Sequence, residues 1–198
     1  MPIVDAQVHL WGADTPARPW PPERAAFNHG AALEVETLRG WMAEAGVAHA
    51  VIVPPSWEGD RNDVALEAAA RYPQQFAVMG RLPVEDPSGA ALLPGWRRQP
   101  GMLGLRFTFH TAQHRQWLQD GRADGLWPAA QRAGVPLMLN VPGSVAFMDR
   151  VAQQHPGLRI TIDHLACAPH QKDEAAYAET DALIRLARHP HVAVKASA

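Results

Sequence analysis

Short and almost continuously apolar runs recur along this chain, and each run after the first follows a segment that ends at Gly or Pro. Gly supplies the left-handed residue that ends a helix, and Pro cannot continue one. Apolar runs after such breaks are typical of strands that are covered on both faces. The pattern predicts strands over residues 3–9, 49–53, 76–80, 102–107, 135–140, 158–163 and 191–196.

Amphipathic helical stretches separate these runs. The apolar face predicted for a helix within 33–45 consists of Leu38, Trp41, Met42 and Ala45. Asn62 and Ser144 are predicted to cap the helices that follow them. The alternation of strands and helices predicts βαβ units and hence a parallel sheet. No phosphate loop of the GxGxxG or GxxxxGKS type is present, which favours a closed (β/α)8 barrel over an open doubly wound sheet.

The chain is short for such a barrel. Barrels of this kind run to about 250 residues, whereas this sequence has 198. Its last apolar run, 191–196, is the seventh predicted strand. We therefore expect a single barrel domain over residues 1–198 that stops after strand seven and belongs to a longer protein. An open barrel whose edge is covered by something else is the alternative.

Composition and charge exclude several classes of function. A net charge of −2 without a basic run offers little to nucleic acid, whose binding depends on Lys and Arg at the phosphates. No apolar run reaches the roughly 18 residues of a membrane helix, and no basic region followed by an apolar stretch marks a signal peptide. The single cysteine, Cys167, fits a reducing compartment. We expect a soluble cytoplasmic protein and leave homo-oligomerisation open.

Polar residues follow the predicted strands at their carboxyl ends, where α/β proteins bind their ligands. These residues are Gln7 and His9, Arg81, Arg106 and Thr108, Asn140, Asp163 and His164, and Lys195 and Ser197. Such a set, following strands that are otherwise apolar, predicts a binding or catalytic site. Trp11 is a candidate pocket wall, with plain packing as the alternative.

Several of these side chains allow a structural interpretation as well. His9 and His164 could be core histidines, but each follows an apolar strand together with another polar residue, which favours a role in chemistry. A guanidinium at a strand end, as in Arg106, is shaped to bind a carboxylate, and a structural ion pair is the alternative. Asp163 is expected either to orient His164 or to cap the following turn.

Four segments of the chain resemble one known family. Residues 4–11 (VDAQVHLW), 104–107 (GLRF), 162–166 (IDHLA) and 192–197 (VAVKAS) are similar to strand motifs of the amidohydrolase-2 branch of the amidohydrolase superfamily. This branch contains 2-pyrone-4,6-dicarboxylate lactonase-like enzymes and hydrolases of sugar lactones and muconolactone. The four motifs occur along the chain in the same order as in the family, and the resemblance implies a (β/α)8 barrel. Members of the family have roughly 270–300 residues, which is longer than most such barrels.

The resemblance implies a hydrolase that opens a lactone, or a related cyclic ester or amide, of a small carboxylate-bearing molecule. His9 and His164 would polarise the carbonyl or hold a metal, Arg81 and Arg106 would bind the carboxylate, and Gln7 and Asn140 would add hydrogen bonds. The general base of the family, an acidic residue on strand eight, would lie beyond Ala198. Whether residues 1–198 alone are active is left open.

Two substitutions bear on the cofactor. Gln7 and Asn140 stand where the family commonly has histidines, so two imidazoles remain, against the three protein ligands of a catalytic zinc. The resemblance therefore implies at most one divalent metal, zinc or manganese, and leaves a metal-free enzyme open. A metal-dependent decarboxylase of an aromatic acid and a truncated inactive homologue are the alternative functions.

Overall fold

A computed structural model describes residues 1–24, 31–84, 88–168 and 171–197. In this part of the chain seven strands form one sheet in the order β1 to β7, and the registers of β1–β2, β2–β3, β4–β5, β5–β6 and β6–β7 are all parallel. The strands are β1 (Ile3–Val8), β2 (Val47–Ile52), β3 (Phe76–Gly80), β4 (Met102–Thr108), β5 (Leu137–Asn140), β6 (Ile160–Ile162) and β7 (Val192–Val194). Each lies within, or within two residues of, a predicted strand.

Helices lie between the strands, as the alternating pattern predicts. They are α1 (Val35–Glu44), α2 (Asp63–Arg71), α3 (Gly89–Trp96), α4 (Ala112–Gln119), α5 (Leu126–Ala133), α6 (Val145–Gln154), α7 (Asp173–Ala176) and α8 (Thr180–Leu186), with 3-10 turns at Ser56–Glu58 and His164–Ala166. Within the described ranges, none of the helices has the length and apolar character that crossing a membrane requires.

The chain divides into two compact units. Unit 1 consists of Met1–Leu82 and Arg97–Leu103, and unit 2 consists of Pro83–Trp96 and Gly104–Ala198. The prediction of a single domain stays a prediction.

Unit 1 packs α2 closely against its strands through small residues. Ala65, Ala68 and Ala69 of α2 are buried, and the core they cover includes Val78, which is fully buried. Gly101 stands against this helix with a φ of +80°, and a side-chain Cβ at that position would lie 2.6 Å from the Cβ of Ala69. Both the left-handed backbone and the lack of space require glycine there.

Unit 2 has a register that brings the ends of its strands level. Leu105 of β4 pairs with Leu137 of β5, which pairs with Ile160 of β6, and Ile160 pairs with Val192 of β7. The core is apolar, with Leu105, Leu139 and Ile162 fully buried. Ile162 and Val194, the last residues of β6 and β7, pair with each other. The residues that follow these two strands therefore lie next to each other.

Three details of the helices differ from prediction. Asn62 precedes α2 but makes no capping bond, because its side-chain amide bonds both the N–H and the carbonyl of Arg81. Ser144 does not cap α6 either, since the Glu179 carboxylate accepts the N–H of Val145 at 2.9 Å. Trp41 was expected on the buried face of α1 but is 53% exposed. Contacts with residues distant in sequence thus take up the Asn62 side chain and replace Ser144 as the cap of α6.

Candidate active site

The end of β1 holds His9 in one tautomer. Its Nδ1 lies 2.6 Å from the carbonyl oxygen of Val53, which can only accept a hydrogen bond, so Nδ1 carries the proton. The amide nitrogen of Gln7 lies 3.5 Å from His9 Nε2 and can only donate. Both contacts therefore indicate the Nδ1–H tautomer of His9, in which Nε2 is unprotonated and accepts hydrogen bonds.

The loop after β1 is held by three tryptophans. Trp57, in the 3-10 turn of unit 1, packs edge-to-face against Trp11 at 5.9 Å and against Trp20 at 5.0 Å between ring centroids. The Trp11 indole N–H donates to the carbonyl of Ala31 at 3.1 Å. Trp11 also lines a cavity of about 330 Å³ together with Leu33 and residues of α1 and α2. Both the packing and the pocket-wall interpretation of Trp11 thus have a contact that supports them.

A buried ion pair, which the sequence did not reveal, fixes the same loop. The Glu58 side chain is only 2% exposed and accepts from Arg18 at 3.0 Å and from the Gly12 N–H at 3.2 Å. Arg18 also pairs with the exposed Asp63. Nothing in the sequence around Glu58 distinguishes it from a solvated turn residue, because its partner is 40 residues away.

We expect Glu58→Gln to lower the free energy of unfolding by about 1–3 kcal/mol, because it leaves the largely buried Arg18 guanidinium without its buried counter-charge. Asp63→Asn is the matched control, since it removes the exposed partner of the same arginine, and we expect a loss below about 1 kcal/mol. Urea unfolding of both variants checks this. Equal losses would contradict the assigned role of Glu58.

Arg81, at the end of β3, is used within unit 1. Its side chain is 10% exposed and lies 3.6 Å from Asp60, and its Nε donates to the carbonyl of Gly59 at 3.1 Å. Asn62 bonds its backbone on both sides. These contacts tie the loop after β2 to the end of β3, and the predicted substrate contact of Arg81 stays a prediction.

In unit 2, Asp163 lies between two cations. Its carboxylate is fully buried and lies 3.2 Å from Arg106 Nε and 2.6 Å from Lys195 Nζ. Arg106 also donates to the hydroxyl of Thr108, and Lys195 contacts the sulfur of Met138. Asp163 thus joins the ends of β4, β6 and β7, and its side chain does not cap the following turn.

Burial and charge around this cluster set the protonation of its neighbours. Burial lowers the pKa of the Arg106 guanidinium, and Asp163 opposes this shift. Burial also lowers the pKa of His164, and Lys195 and Arg106 lower it further, against the opposing effect of Asp163. The His164 imidazole is therefore neutral at neutral pH.

A left-handed turn carries His164 away from β6. His164, Leu165 and Ala166 have φ values of 52°, 52° and 54°. This left-handed conformation costs residues other than glycine roughly 1–2 kcal/mol each. The end of β7 holds the turn, because the N–H of Leu165 donates to the carbonyl of Lys195 at 3.0 Å. The Ser197 hydroxyl lies 3.0 Å from His164 Nδ1.

We expect both Ala166→Gly and Ala152→Gly to change the free energy of unfolding. The decrease caused by Ala166→Gly should be smaller than that caused by Ala152→Gly by at least about 1 kcal/mol. Both alanines are buried, but glycine relieves the left-handed backbone at residue 166, whereas it weakens α6 at residue 152. Chemical denaturation of the two variants gives the difference. An equal cost would show that the turn is unstrained.

A cavity of about 840 Å³ opens beside this turn in unit 2. Its lining includes Asn140, His164, Lys172, Tyr177 and Ser197. The structure thus brings Asn140 and His164 together at one cavity, and their predicted roles at a substrate stay predictions. Arg106 is not among the lining residues, so its predicted grip on a substrate carboxylate stays a prediction.

Comparison with known proteins assigns the family. A family model described as Amidohydrolase matches residues 4–198. This chain belongs to the amidohydrolase family. The amidohydrolase-2 resemblance of its strand motifs is therefore confirmed, and with it the prediction of a hydrolase.

The relatives of this amidohydrolase include a lactonase. L-Fucono-1,5-lactonase from Burkholderia ambifaria is 27% identical over 199 residues, which cover 98% of this chain and 67% of that protein. An amidohydrolase from Burkholderia multivorans, solved with bound zinc, superposes with a TM-score of 0.77 at 20% identity. A probable 2-pyrone-4,6-dicarboxylic acid hydrolase from Acinetobacter baumannii, solved with citric acid, gives 0.72 at 18% identity. Both structures match over 100% of this chain and 70% of their own, which confirms the incomplete (β/α)8 barrel.

The described residues of this amidohydrolase do not fit a catalytic zinc site. His9 donates Nδ1–H to a backbone carbonyl, as metal-binding histidines do. Within the described ranges, however, no three His, Cys, Asp or Glu side chains form a group that could hold a metal ion, and Asp163 is already paired with two cations. A catalytic zinc needs three protein ligands, so no step below depends on a metal.

We expect residues 1–198 to hold zinc weakly or below one ion per chain. The side-chain amides of Gln7 and Asn140 are poorer zinc ligands than imidazole or carboxylate. Each amide that stands in place of a histidine of the family therefore lowers the affinity for zinc. Elemental analysis after mild dialysis measures the content. One tightly held zinc per chain would contradict this and would point to Asp163 or His110 as an overlooked ligand.

Proposed function

We propose that this amidohydrolase opens a lactone, or a related cyclic ester or amide, of a small carboxylate-bearing molecule by addition of water. The observation that carries the proposal is the cavity of about 840 Å³ in unit 2, with the neutral His164 imidazole and the Asn140 amide in its wall. A cavity of this size suits a small molecule. The similarity to L-fucono-1,5-lactonase supports the choice of a lactone.

The two histidines have different chemical roles in this proposal. His9 accepts a hydrogen bond from the attacking water at Nε2, in place of the Gln7 amide that lies 3.5 Å from this nitrogen, and assists the deprotonation of the water. His164 polarises the lactone carbonyl, as a group aimed at the developing oxyanion does. Gln7 and Asn140 add hydrogen bonds, and Trp11 is proposed as a wall of the cavity of about 330 Å³ in unit 1.

The ion cluster around Asp163 favours an anionic substrate. Two cations, Arg106 and Lys195, face one carboxylate, Asp163, so one positive charge is left over. We propose that this excess selects a substrate with a carboxylate group. The roles of Arg81 and Arg106 as carboxylate ligands are proposed from the resemblance to the family. A cytoplasmic location and a homo-oligomer remain part of the proposal.

A panel of lactones assayed with and without chelator tests this function. We expect at least one carboxylate-bearing lactone to be opened, with acid release followed by a pH indicator, and the rate to be unaffected by chelator. Release of CO₂ from an aromatic acid in a metal-dependent reaction would favour a decarboxylase instead. No turnover of any substrate would favour an inactive homologue.

A further inference from the structure

The partners of the two candidate catalytic histidines differ in a way that bears on their chemistry. His9 Nδ1 faces a carbonyl oxygen, which can only accept. His164 Nδ1 faces the hydroxyl of Ser197 at 3.0 Å, and a hydroxyl can donate as well as accept. His9 is therefore restricted to one neutral tautomer by its backbone partner, while the tautomer of His164 depends on a side chain.

Two features place the Ser197 hydroxyl at this nitrogen. The backbone of Lys195 is bonded on both sides, with its N–H on Ile162 and its carbonyl on the Leu165 N–H. Its ammonium also pairs with Asp163, next to His164 in sequence. Ser197 stands two residues further on, so these contacts of Lys195 set the position from which its hydroxyl reaches the imidazole.

We propose that Ser197 is a positioning residue that donates its hydroxyl hydrogen to His164 Nδ1 and so keeps the proton of the neutral imidazole on Nε2. This inference rests on the proposed function, in which His164 polarises a carbonyl, because a neutral imidazole can do so only through an N–H. The Nε2–H form is also the tautomer that neutral imidazole side chains favour in water. His9 and His164 then have opposite tautomers, one as acceptor and one as donor.

The electrostatic surroundings make the tautomer decisive. Burial lowers the pKa of His164, and Lys195 and Arg106 lower it further against the opposing effect of Asp163, so the doubly protonated ring is disfavoured. An imidazolium would donate from both nitrogens whatever its partner. A neutral ring donates from one nitrogen only, and Ser197 determines which.

Nitrogen-15 spectra of the imidazole rings at pH 8 test this directly. We expect His164 to show a protonated Nε2 and His9, in the same spectrum, a protonated Nδ1, with assignments from His164→Gln and His9→Gln. In Ser197→Ala, His164 is expected to become a mixture of both tautomers, whereas Ser144→Ala leaves it unchanged. A protonated Nδ1 on His164 in the wild-type protein would overturn the inference.

Kinetics of the same variants add a functional readout. Ser197→Ala is expected to lower kcat about 10- to 100-fold with little change in KM, and Ser197→Thr, which keeps the hydroxyl, to restore most of it. A wild-type protein that opens lactones but has His164 in the Nδ1–H form would refute the inference and leave the function standing. A protein with the expected tautomers and no hydrolysis would refute the function alone.

Discussion

Asp163→Asn is expected to lower the free energy of unfolding by about 3–5 kcal/mol, because it removes one partner from a buried ion cluster. The carboxylate is fully buried, and the side chains of Arg106 and Lys195 are 6% and 11% exposed. Without Asp163, two positive charges remain in contact with the apolar core of unit 2. Urea unfolding followed by circular dichroism measures the loss.

Asp149→Asn is the matched control, because Asp149 also contacts two basic side chains, Arg188 and His189. Asp149 is 26% exposed, so solvent screens the pair and the expected loss is below about 1 kcal/mol. If Asp163→Asn does not fold, combining it with Arg106→Met and Lys195→Met should restore folding, since it removes the unpaired charges. A loss at Asp163 no larger than that at Asp149 would contradict the assignment of the cluster as a structural centre.

His164→Gln is expected to lower kcat/KM for lactone opening by about 10²- to 10³-fold, the range lost when one donor to the developing oxyanion is removed. His9→Gln is expected to have a similar effect.

His49→Gln serves as the control for these variants. His49 is an exposed residue of β2 whose Nδ1 lies 2.8 Å from the carbonyl of Gln74, so its replacement should leave kcat/KM unchanged. Steady-state kinetics on the folded variants checks all of this. Full activity in His164→Gln would contradict the site proposed in unit 2.

Strand identity was predictable because each strand is a nearly continuous apolar run between Gly and Pro signals. The residues at which the strands begin and end were less predictable. Residues 135–136 and 158–159 were predicted as strand, but β5 begins at Leu137 and β6 at Ile160. Leu158 is nevertheless only 1% exposed. Its apolar character therefore indicated a buried position correctly, but not a position in a strand.

The candidate site was predictable as a set of positions and not as a set of contacts. Parallel strands place their carboxyl ends at one edge, and this rule alone indicated Asn140 and His164. The ion pairs of Asp163 depend on the register between β6 and β7, which no local pattern carries. The Glu58–Arg18 pair and the capping of α6 by Glu179 likewise join residues 40 and 34 positions apart.

Lactone opening in water enriched in ¹⁸O tests the central claim most directly. Hydrolysis by attack of water on the carbonyl places one ¹⁸O atom in the carboxylate of the hydroxy-acid product, and none in its hydroxyl group. Mass spectrometry of the product and its fragments locates the label. We predict a single ¹⁸O in the carboxylate, formed faster with the wild-type protein than with His164→Gln. An unlabelled product, a label in the hydroxyl group, or equal rates for the two proteins would contradict the account.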